Sequence, residues 1–291
     1  MSLIVQSNIL LAPLTYYKIG GPAKYFVEPS SLEDLKEISA FIRKEKCRYF
    51  VLGAGSNILV RDEGFDGLII QTADLDKTLL QEADALNVGA SVMVIQVLRH
   101  CMNTGLSGLE LLAGIPGNMG GVFYMNAGTK LGEIKDVVQE ITTYDFETEK
   151  TRVISKSKLK YTYRKNHFLK PSEIILSGKI KSHFTEPAII QEKIKTLLDA
   201  RKKTQPIDKP SCGSVFKNPD ISKGLHAWKL ITDAGLKGHR IGNAQISEQH
   251  ANFIVNLGGA KATDVIELIQ LAKSKVLEKF NITLEEEVKI L

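Results

Sequence analysis

Cysteine and aromatic residues are scarce in this 291-residue sequence, and it has no long apolar run. The three cysteines, Cys47, Cys101 and Cys212, are widely spaced and form no CxxC pair, which argues against a disulfide framework and a zinc site. No stretch of about 18 apolar residues occurs, which argues against a membrane-spanning helix. The first fourteen residues lack a cationic start and a long apolar segment, so we expect no signal peptide. These absences predict a cytoplasmic protein with no metal ion and no membrane partner.

Recognisable nucleic-acid-binding motifs are also missing. The net charge is +5, but the basic residues are spread along the chain, and neither an RNP-like aromatic strand nor zinc-finger spacing occurs. A basic balance also suits an anionic small ligand such as a diphosphate. Hydrophobic residues make up 43% and charged residues 24% of the chain, which is typical of a soluble globular protein. The length favours two domains, and we expect no nucleic-acid partner.

Short helical and extended patterns alternate along the chain, which predicts an α+β fold. Ser31 and Asp34 resemble a helix cap and precede apolar residues at helical spacing up to about residue 46. A second helix is predicted over 91–102, with Ser91 as its cap and Gly105 after its end. Further along, two apolar runs flank a polar stretch and predict a hairpin.

A polar stretch before Pro187 marks the predicted domain boundary. Proline is favoured at the first position of a helix, and apolar residues follow it at helical spacing. We therefore expect two domains, over residues 15–182 and 183–291. Arg201 lies at the end of this helix with two lysines, where basic side chains complement the helix dipole.

Two glycine clusters stand out. Residues 53–57, with the sequence Gly-Ala-Gly-Ser-Asn, follow a predicted strand, and their amides could form a concave site for phosphate oxygens. A tight turn is the commoner explanation of this pattern. The second cluster, over 114–128, is predicted to be a glycine-rich loop. Such a loop is either irregular surface structure or backbone packed against a flat partner, and the pattern alone does not decide between them.

The motifs, taken in order, resemble those of the UDP-N-acetylenolpyruvoylglucosamine reductase family. The resemblance covers nearly the whole chain and depends on the order and separation of seven segments, each of them weak alone: residues 19–23, 53–60, 114–128, 163–164, 211–219, 238–256 and 284–288. It implies a vanillyl-alcohol-oxidase/PCMH-type FAD-binding domain of two α+β subdomains, followed by a smaller α+β substrate-binding domain. It also implies FAD and NADPH as cofactors and UDP-N-acetylglucosamine enolpyruvate as the substrate.

The resemblance also implies roles for individual residues. Arg164 and Glu287 would stabilise negative charge in the reacting substrate, and Ser214 would deliver a proton. Tyr163 and Asn218 would contact the substrate. The residues implied to bind the cofactor are Gly53, Ala54, Gly55, Ser56, Asn57, Gly114, Pro116, Gly117, Gly120, Gly121, Asn126 and Arg201. Without the resemblance, Arg164 would be interpreted as a surface residue, Ser214 as part of a turn and Glu287 as a solvated strand edge.

Little room exists between residues 180 and 201 for the tyrosine-bearing insertion of longer family members, so we expect the shorter subclass and a monomer. Two alternatives remain. An FAD-dependent oxidase of the same fold would have similar glycine loops, although these loops contain no His or Cys to tether a flavin. A non-catalytic nucleotide-binding protein would keep the loops without needing Arg164, Ser214 and Glu287 together.

Overall fold

The computed structural model describes residues 3–291 of the chain. Its helices are α1 (Leu32–Glu45), α2 (Val94–Thr104), α3 (Met119–Met125), α4 (Ile134–Val137), α5 (Pro187–Thr204), α6 (Ala227–Asp233) and α7 (Ala262–Phe280). Its strands are β1 (Gln6–Leu10), β2 (Pro22–Val27), β3 (Tyr49–Leu52), β4 (Ile58–Leu59), β5 (Phe65–Gln71), β6 (Leu79–Gln81), β7 (Ala85–Gly89), β8 (Leu106–Ser107), β9 (Gly128–Thr129), β10 (Gly132–Glu133), β11 (Val138–Asp145), β12 (Lys150–Ser155), β13 (Tyr161–Thr162), β14 (Lys165–Asn166), β15 (Glu173–Lys181), β16 (His183–Phe184), β17 (Arg240–Ile241), β18 (Ala244–Ile246), β19 (Ile254–Asn256) and β20 (Lys289–Ile290). This mixture agrees with the predicted α+β class.

The chain divides into two compact units. Unit 1 comprises the N-terminal residues up to Gln6, Tyr25–Ala54 and Gly67–Asp199, and unit 2 comprises Ser7–Lys24, Gly55–Asp66 and Ala200–Leu291. This division differs from the predicted linear domains, because two N-terminal segments belong with the C-terminal part of the chain. It also falls near the end of α5, whereas the sequence placed a boundary at the start of that helix. Domains over 15–182 and 183–291 therefore stay a prediction.

Unit 1 contains a five-stranded sheet with the order β12-β11-β15-β7-β6. All of its neighbouring strands are antiparallel. Apolar residues of α2, α3 and α5 form one buried cluster with β7, β11 and β15. A second cluster includes residues of α1, β5 and β15. In that region β3 pairs with β5 in parallel.

The helix ends in unit 1 confirm some of the predicted caps and correct one. Ser31 and Asp34 form the predicted capping box of α1, and Gly105 ends α2 with a φ of +76°. The prediction of Ser91 as the cap of α2 is wrong, because the helix begins after Met93. The Ser91 hydroxyl instead accepts from the amide of Asp76 and donates to a buried backbone carbonyl.

The second glycine cluster contains a helix, so its prediction as a loop is wrong over Met119–Met125. The Asn118 side chain caps this helix by accepting from the amide of Gly121 at 3.2 Å. Gly120 allows the helix to approach Ala90 closely, since a Cβ there would lie 3.0 Å from the Ala90 Cβ. The cap and the close packing offset the low helix propensity of glycine.

Unit 2 contains an antiparallel sheet of order β17-β18-β19 together with α6 and α7. Its buried cluster includes Tyr17, Phe216 and the apolar face of α7. Asp62 caps α7 from a distant part of the chain, because its carboxylate accepts from the amides of Ala262 and Thr263 at 2.8 and 3.0 Å. The last strand, β20, pairs in parallel with β4.

Candidate active site

Arg164 lies in a hairpin turn of unit 1. Thr162 of β13 pairs with Lys165 of β14, so Tyr163 and Arg164 form a two-residue turn. Arg164 has a φ of +56°. This left-handed conformation costs a residue with a side chain about 1–2 kcal/mol. Its guanidinium carbon lies 5.0 Å from the centre of the Tyr163 ring. Backbone strain of this kind is found at many functional sites, which supports a role for the turn beyond chain reversal.

The Arg164 guanidinium is held by backbone carbonyls. Nη1 donates to the Asn126 carbonyl at 3.2 Å, and Nη2 donates to the Gly128 carbonyl at 3.0 Å. The Glu133 carboxylate lies 3.7 Å from Nη1, and the Arg164 and Glu133 side chains are only 17% and 14% exposed. A guanidinium has five N–H donors, and such a group can bind a ligand carboxylate through two of them. The arrangement provides a fixed, partly buried cation.

Asn126 is the buried residue whose backbone carbonyl binds Arg164. It is fully buried and ends α3 in the left-handed conformation, with a φ of +48°. Its Nδ2 donates to Glu133 at 2.8 Å and to the Thr162 carbonyl at 3.1 Å, and its Oδ1 accepts from the Lys135 amide at 3.1 Å. Its side chain is therefore bonded within the protein, while its backbone carbonyl binds Arg164. Its implied role in cofactor binding stays a prediction.

The two glycine clusters meet within unit 1. A Cβ at Gly53 would lie 2.6 Å from Oδ1 of Asn118, so this position is too close to the cap of α3 for a larger residue. In residues 3–291, the amides of Gly53 and Ala54 donate to no acceptor. Backbone amides without an internal partner fit a phosphate group of a ligand. These two amides are therefore available to a ligand, and the predicted phosphate contact at this end of the first cluster stays a prediction.

Several other residues of the second cluster have structural roles within unit 1. Gly114 and Gly117 flank Ile115 and Pro116 and have φ values of +77° and +117°, which favour glycine. The Gly117 carbonyl accepts from the first amide of α2 at 2.9 Å. The Gly120 amide donates to the Ala90 carbonyl at 2.9 Å and so is used within the protein. Glycine at 114 and 117 therefore follows from backbone conformation, whether or not a ligand packs against it.

In unit 2, Asn252 holds the segment that follows Ser214. The Asn252 carbonyl accepts from the Val215 amide at 2.8 Å. Its side chain accepts from the Phe216 amide at 3.0 Å and donates to the Phe216 carbonyl at 2.8 Å. Gly213, before the serine, has a φ of +79°. Within the described part of the chain, the Ser214 hydroxyl makes no hydrogen bond and is only partly buried. A ligand can therefore use this hydroxyl.

Glu287 lies on the segment beside Ser214. The Glu287 amide donates to the Val215 carbonyl at 2.8 Å. Phe216 and Glu286 form an antiparallel bridge in the same register. The residues predicted to be the proton donor and the carboxylate are thus placed on adjacent extended segments of one unit.

Lysines neutralise the acidic neighbours of Glu287. Lys217 pairs with Glu285 at 2.5 Å, and Lys273 of α7 pairs with Glu286 at 2.8 Å. Each lysine removes a like-charge repulsion that three consecutive glutamates would otherwise produce. These pairs also link the Glu287 segment to its neighbours.

Cys212, two residues before Ser214, is buried. Burial raises the pKa of its thiol to about 12, and the nearby charge of Glu287 acts in the same direction. A neutral thiol is a poor nucleophile, which agrees with a packing role for Cys212.

The second half of the first glycine cluster belongs to unit 2. Gly55 has a φ of +66°, and a Cβ there would lie 2.3 Å from the Leu14 carbonyl. Ser56 is half-buried in the turn. The Asn57 side chain does not extend the row of amides, because its Nδ2 donates to the Glu287 carbonyl at 3.1 Å. Asn57 therefore joins the first cluster to the segment that carries Glu287.

Arg201 lies in the last turn of α5, as predicted. Burial lowers the pKa of its guanidinium, and no ion pair neutralises it in the part of the chain that the structure describes. Burial lowers the pKa of His250, and the positive charge of Arg201 lowers it further. A desolvated cation without a carboxylate partner suits an anionic ligand, although its place at a helix C-terminus also explains it.

Asn218, predicted to contact the substrate, caps a helix. Its Oδ1 accepts from the amide of Ala227, the first residue of α6, at 3.0 Å. This bond leaves its substrate contact a prediction, as it is for Tyr163.

Two residues of the site were missed in the sequence. Glu133 follows the second glycine cluster as an ordinary polar residue, and nothing in its neighbourhood indicated a contact with Arg164. Asn252 gives one signal in the sequence, which is its place between the apolar residues Ala251 and Phe253. A buried asparagine needs hydrogen-bond partners, and the backbone beside Ser214 provides them.

Neither a metal-binding cluster nor a membrane-spanning helix is found within residues 3–291. No group of three or more potential metal-binding side chains is present in this range. No helix in the same range combines the length and the hydropathy that a membrane span needs.

Known proteins resemble the chain along its whole length. The family model for the UDP-N-acetylenolpyruvoylglucosamine reductase C-terminal domain matches residues 205–291, and a model for an FAD binding domain matches residues 23–154. A UDP-N-acetylenolpyruvoylglucosamine reductase of Listeria monocytogenes is 40% identical over 287 residues, which cover 99% of this chain and 95% of that protein. The corresponding protein of Clostridium novyi is 37% identical over 98% of this chain and 92% of its own length.

A solved structure is similar to the whole chain. The crystal structure of UDP-N-acetylenolpyruvylglucosamine reductase from Thermus caldophilus has a TM-score of 0.85 and 36% sequence identity, and the match covers 99% of each chain. Similarity of this extent in both sequence and structure identifies the family of the chain.

Proposed function

The chain belongs to the UDP-N-acetylenolpyruvoylglucosamine reductase family, and we propose that Arg164, Ser214 and Glu287 carry out the family's reaction. The substrate is the enolpyruvyl ether of UDP-N-acetylglucosamine, and the product is UDP-N-acetylmuramate, a peptidoglycan precursor. The two glycine clusters would hold FAD, which when bound and reduced by NADPH would supply the hydride. The observation that carries this assignment is the register of unit 2, which holds Ser214 next to Glu287 and leaves the serine hydroxyl available.

Charge stabilisation is assigned to Arg164. Addition of hydride to the vinyl carbon moves negative charge toward the substrate carboxylate, and a fixed cation lowers the energy of that charge. The two carbonyl bonds to the Arg164 guanidinium hold it in one orientation before a ligand arrives. A preorganised arginine can then receive a carboxylate without a large loss of side-chain entropy.

Proton delivery is assigned to Ser214. A serine is a weak acid, but the enolate-like intermediate of the substrate is a strong base, so position matters more than the ordinary pKa. Asn252 and the Glu287 segment fix the backbone beside this serine. Glu287 would stabilise the same intermediate by a hydrogen bond to it. Cys212 has no part in the reaction.

The cofactor contacts follow the glycine clusters. The amides of Gly53 and Ala54 fit a diphosphate, and Arg201 provides a desolvated positive charge. The other residues proposed to contact FAD are Gly55, Ser56, Gly114, Pro116, Gly117, Gly120, Gly121 and Asn126. Tyr163 and Asn218 are proposed to contact the substrate.

The cellular location of the protein, its oligomeric state and its subclass within the family are also proposed. A nucleotide-sugar substrate and NADPH favour action in the cytoplasm, and we propose a monomer of the shorter subclass. Helix α5 starts at Pro187 and fills most of the stretch where longer members carry their insertion. The domains over 15–182 and 183–291 are proposed as units of function.

The visible spectrum of the purified protein tests the central proposal. We expect a flavin absorbance that NADPH bleaches without oxygen and that UDP-N-acetylglucosamine enolpyruvate restores. In Ser214→Ala, bleaching by NADPH should persist, whereas restoration should slow by about 10²–10⁴-fold, as expected for loss of a positioned acid. Ser274→Ala, on α7, is the control. Absence of flavin, or equal slowing of both steps in Ser214→Ala, would contradict the proposal.

A further inference from the structure

The Asn57 side chain, which the resemblance assigns to the flavin, is bonded to the backbone of Glu287. Its Nδ2 donates to the Glu287 carbonyl at 3.1 Å. The backbone carbonyl of Asn57 accepts from the Lys289 amide, also at 3.1 Å. We propose that Asn57 is a positioning residue for Glu287 and not a ligand of the cofactor. The inference rests on the proposed function, because it takes Glu287 to be catalytic.

The backbone of Glu287 is held on both sides. Its amide donates to the Val215 carbonyl at 2.8 Å, on the side of Ser214. Its carbonyl accepts from the Asn57 side chain. These two bonds restrain the peptide groups before and after the Glu287 Cα, and so the direction in which its side chain leaves the backbone. Loss of the Asn57 bond removes one of these two restraints.

The Asn57 side chain bonds to the chain just before the strand pairing of this region. The parallel ladder between β4 and β20 pairs Ile58 with Lys289 and Leu59 with Ile290. Glu287 lies two residues before the first of these pairs. The Asn57 side chain therefore adds a hydrogen bond between the same two segments on the N-terminal side of the ladder.

Few residue types could replace asparagine at this position. Aspartate has nearly the same shape but presents an oxygen to the Glu287 carbonyl, and two acceptors repel each other. Alanine removes the donor and with it this bond to the Glu287 carbonyl. An amide nitrogen at the length of asparagine therefore has a specific function here, separate from the glycine turn before it.

The experiment compares Asn57→Asp and Asn57→Ala with the native enzyme. Flavin affinity is measured by fluorescence titration of the flavin-free protein, and stopped-flow absorbance follows reduction by NADPH and reoxidation by substrate. We expect flavin affinity and reduction within about twofold of native, and reoxidation about 10- to 100-fold slower, the order expected when a reacting group is misplaced. Hydrogen exchange should accelerate in the peptide that contains Glu287. Asn243→Asp, which changes the charge equally at a surface contact with Arg240, should leave all four values unchanged.

Glu287→Gln is measured in parallel to separate the role of Glu287 from that of Asn57. Native reoxidation in Glu287→Gln would overturn the proposed role of Glu287. Slow reoxidation in Glu287→Gln, together with native reoxidation in both Asn57 variants, would overturn the inference alone. A tenfold loss of flavin affinity in the Asn57 variants, with native reoxidation of the flavin-saturated enzyme, would make Asn57 a cofactor ligand and also overturn it. If Asn57→Asp does not fold, Asn57→Ala decides by the same criteria.

Discussion

Unit 1 holds Arg164 by its side chain, whereas unit 2 holds Ser214 and Glu287 by their backbone. The arginine guanidinium donates to two carbonyls. The serine hydroxyl has no such bond in residues 3–291, although the backbone around it is bonded to Asn252 and to the Glu287 segment. Arginine carries about 2 kcal/mol of rotamer entropy, and serine has a single χ angle. The long arginine side chain is therefore anchored at its end, whereas the serine hydroxyl is positioned by a fixed backbone.

In both units an asparagine provides the support. Asn126 binds Arg164 through its backbone carbonyl and uses its side chain to hold the surrounding turns. Asn57 uses its side chain to bind the Glu287 carbonyl. Both asparagines come from glycine-rich segments that the resemblance assigned to the cofactor. Such segments therefore also organise the reacting groups.

After Ser214→Ala, the largest expected effect comes from Arg164→Lys. Lysine keeps the charge but has three N–H donors and no planar fork, so it cannot bind two carbonyls and also donate two bonds to a ligand carboxylate. We expect reoxidation by substrate to slow by about 10²–10³-fold, the loss typical of a charge-stabilising group. Stopped-flow absorbance measures this step. Arg240→Lys, at another arginine that donates to a carbonyl, is the control, and a native rate in Arg164→Lys would remove the basis of the comparison.

Asn126→Ala should lower the stability of the protein by about 2–3 kcal/mol. The change removes three side-chain hydrogen bonds of a fully buried residue and leaves the Thr162 carbonyl and the Lys135 amide without these partners, which is costly. Urea denaturation measures the free energy of unfolding. Asn87→Ala, on the exposed side of β7, tests an asparagine bond to a solvated carboxylate and should cost less than about 1 kcal/mol. Native stability with weakened flavin binding would instead support a cofactor contact for Asn126.

Replacing a glycine by alanine should lower the stability of the protein both at Gly53, in unit 1, and at Gly213, in unit 2, but for different reasons. Gly53→Ala places a Cβ 2.6 Å from Asn118 Oδ1 and should disturb the cap of α3, at a cost of about 1–2 kcal/mol. Gly213→Ala meets no atom within 4 Å and should cost about 1 kcal/mol through its positive φ alone. Denaturation curves of both variants are the measurement. A cost at Gly213 larger than at Gly53 would show that the contact with Asn118 is not the main reason for glycine at position 53.

The smallest effect expected concerns the reactivity of the three cysteine thiols toward an alkylating reagent. Burial raises the pKa of both the Cys101 and Cys212 thiols to about 12. At pH 8 about one such thiol in ten thousand is ionised, and the fraction rises only as the pH approaches 12. Iodoacetamide should therefore label the partly exposed Cys47 first and leave the other two until the protein unfolds. Peptide mass spectrometry follows the labelling, and early labelling of Cys212 would contradict its burial beside Ser214.

Local patterns in the sequence predicted the ends of several helices correctly. Ser31 with Asp34 and Gly105 gave recognisable caps, because a cap depends on a few neighbouring residues. The prediction of Ser91 as a helix cap was wrong, because its hydroxyl bonds to backbone groups of residues 72 and 76. Neither of these partners could be identified from the local pattern. The local pattern also did not predict the helix in the second glycine cluster, since the stability of this helix depends on Asn118 and on packing against Ala90.

The sequence by itself determined the α+β class, the family and the residues proposed to react, because seven short motifs occur in a characteristic order. Only the tertiary structure decided what supports those residues. Asn57 and Glu287 are 230 positions apart, and Asn252 is 36 positions from Phe216. Hydrogen bonds between such distant positions depend on strand pairing and packing, and no local pattern encodes them. For that reason an asparagine in a glycine-rich motif could be assigned to a cofactor from the sequence and found bonded to Glu287 in the fold.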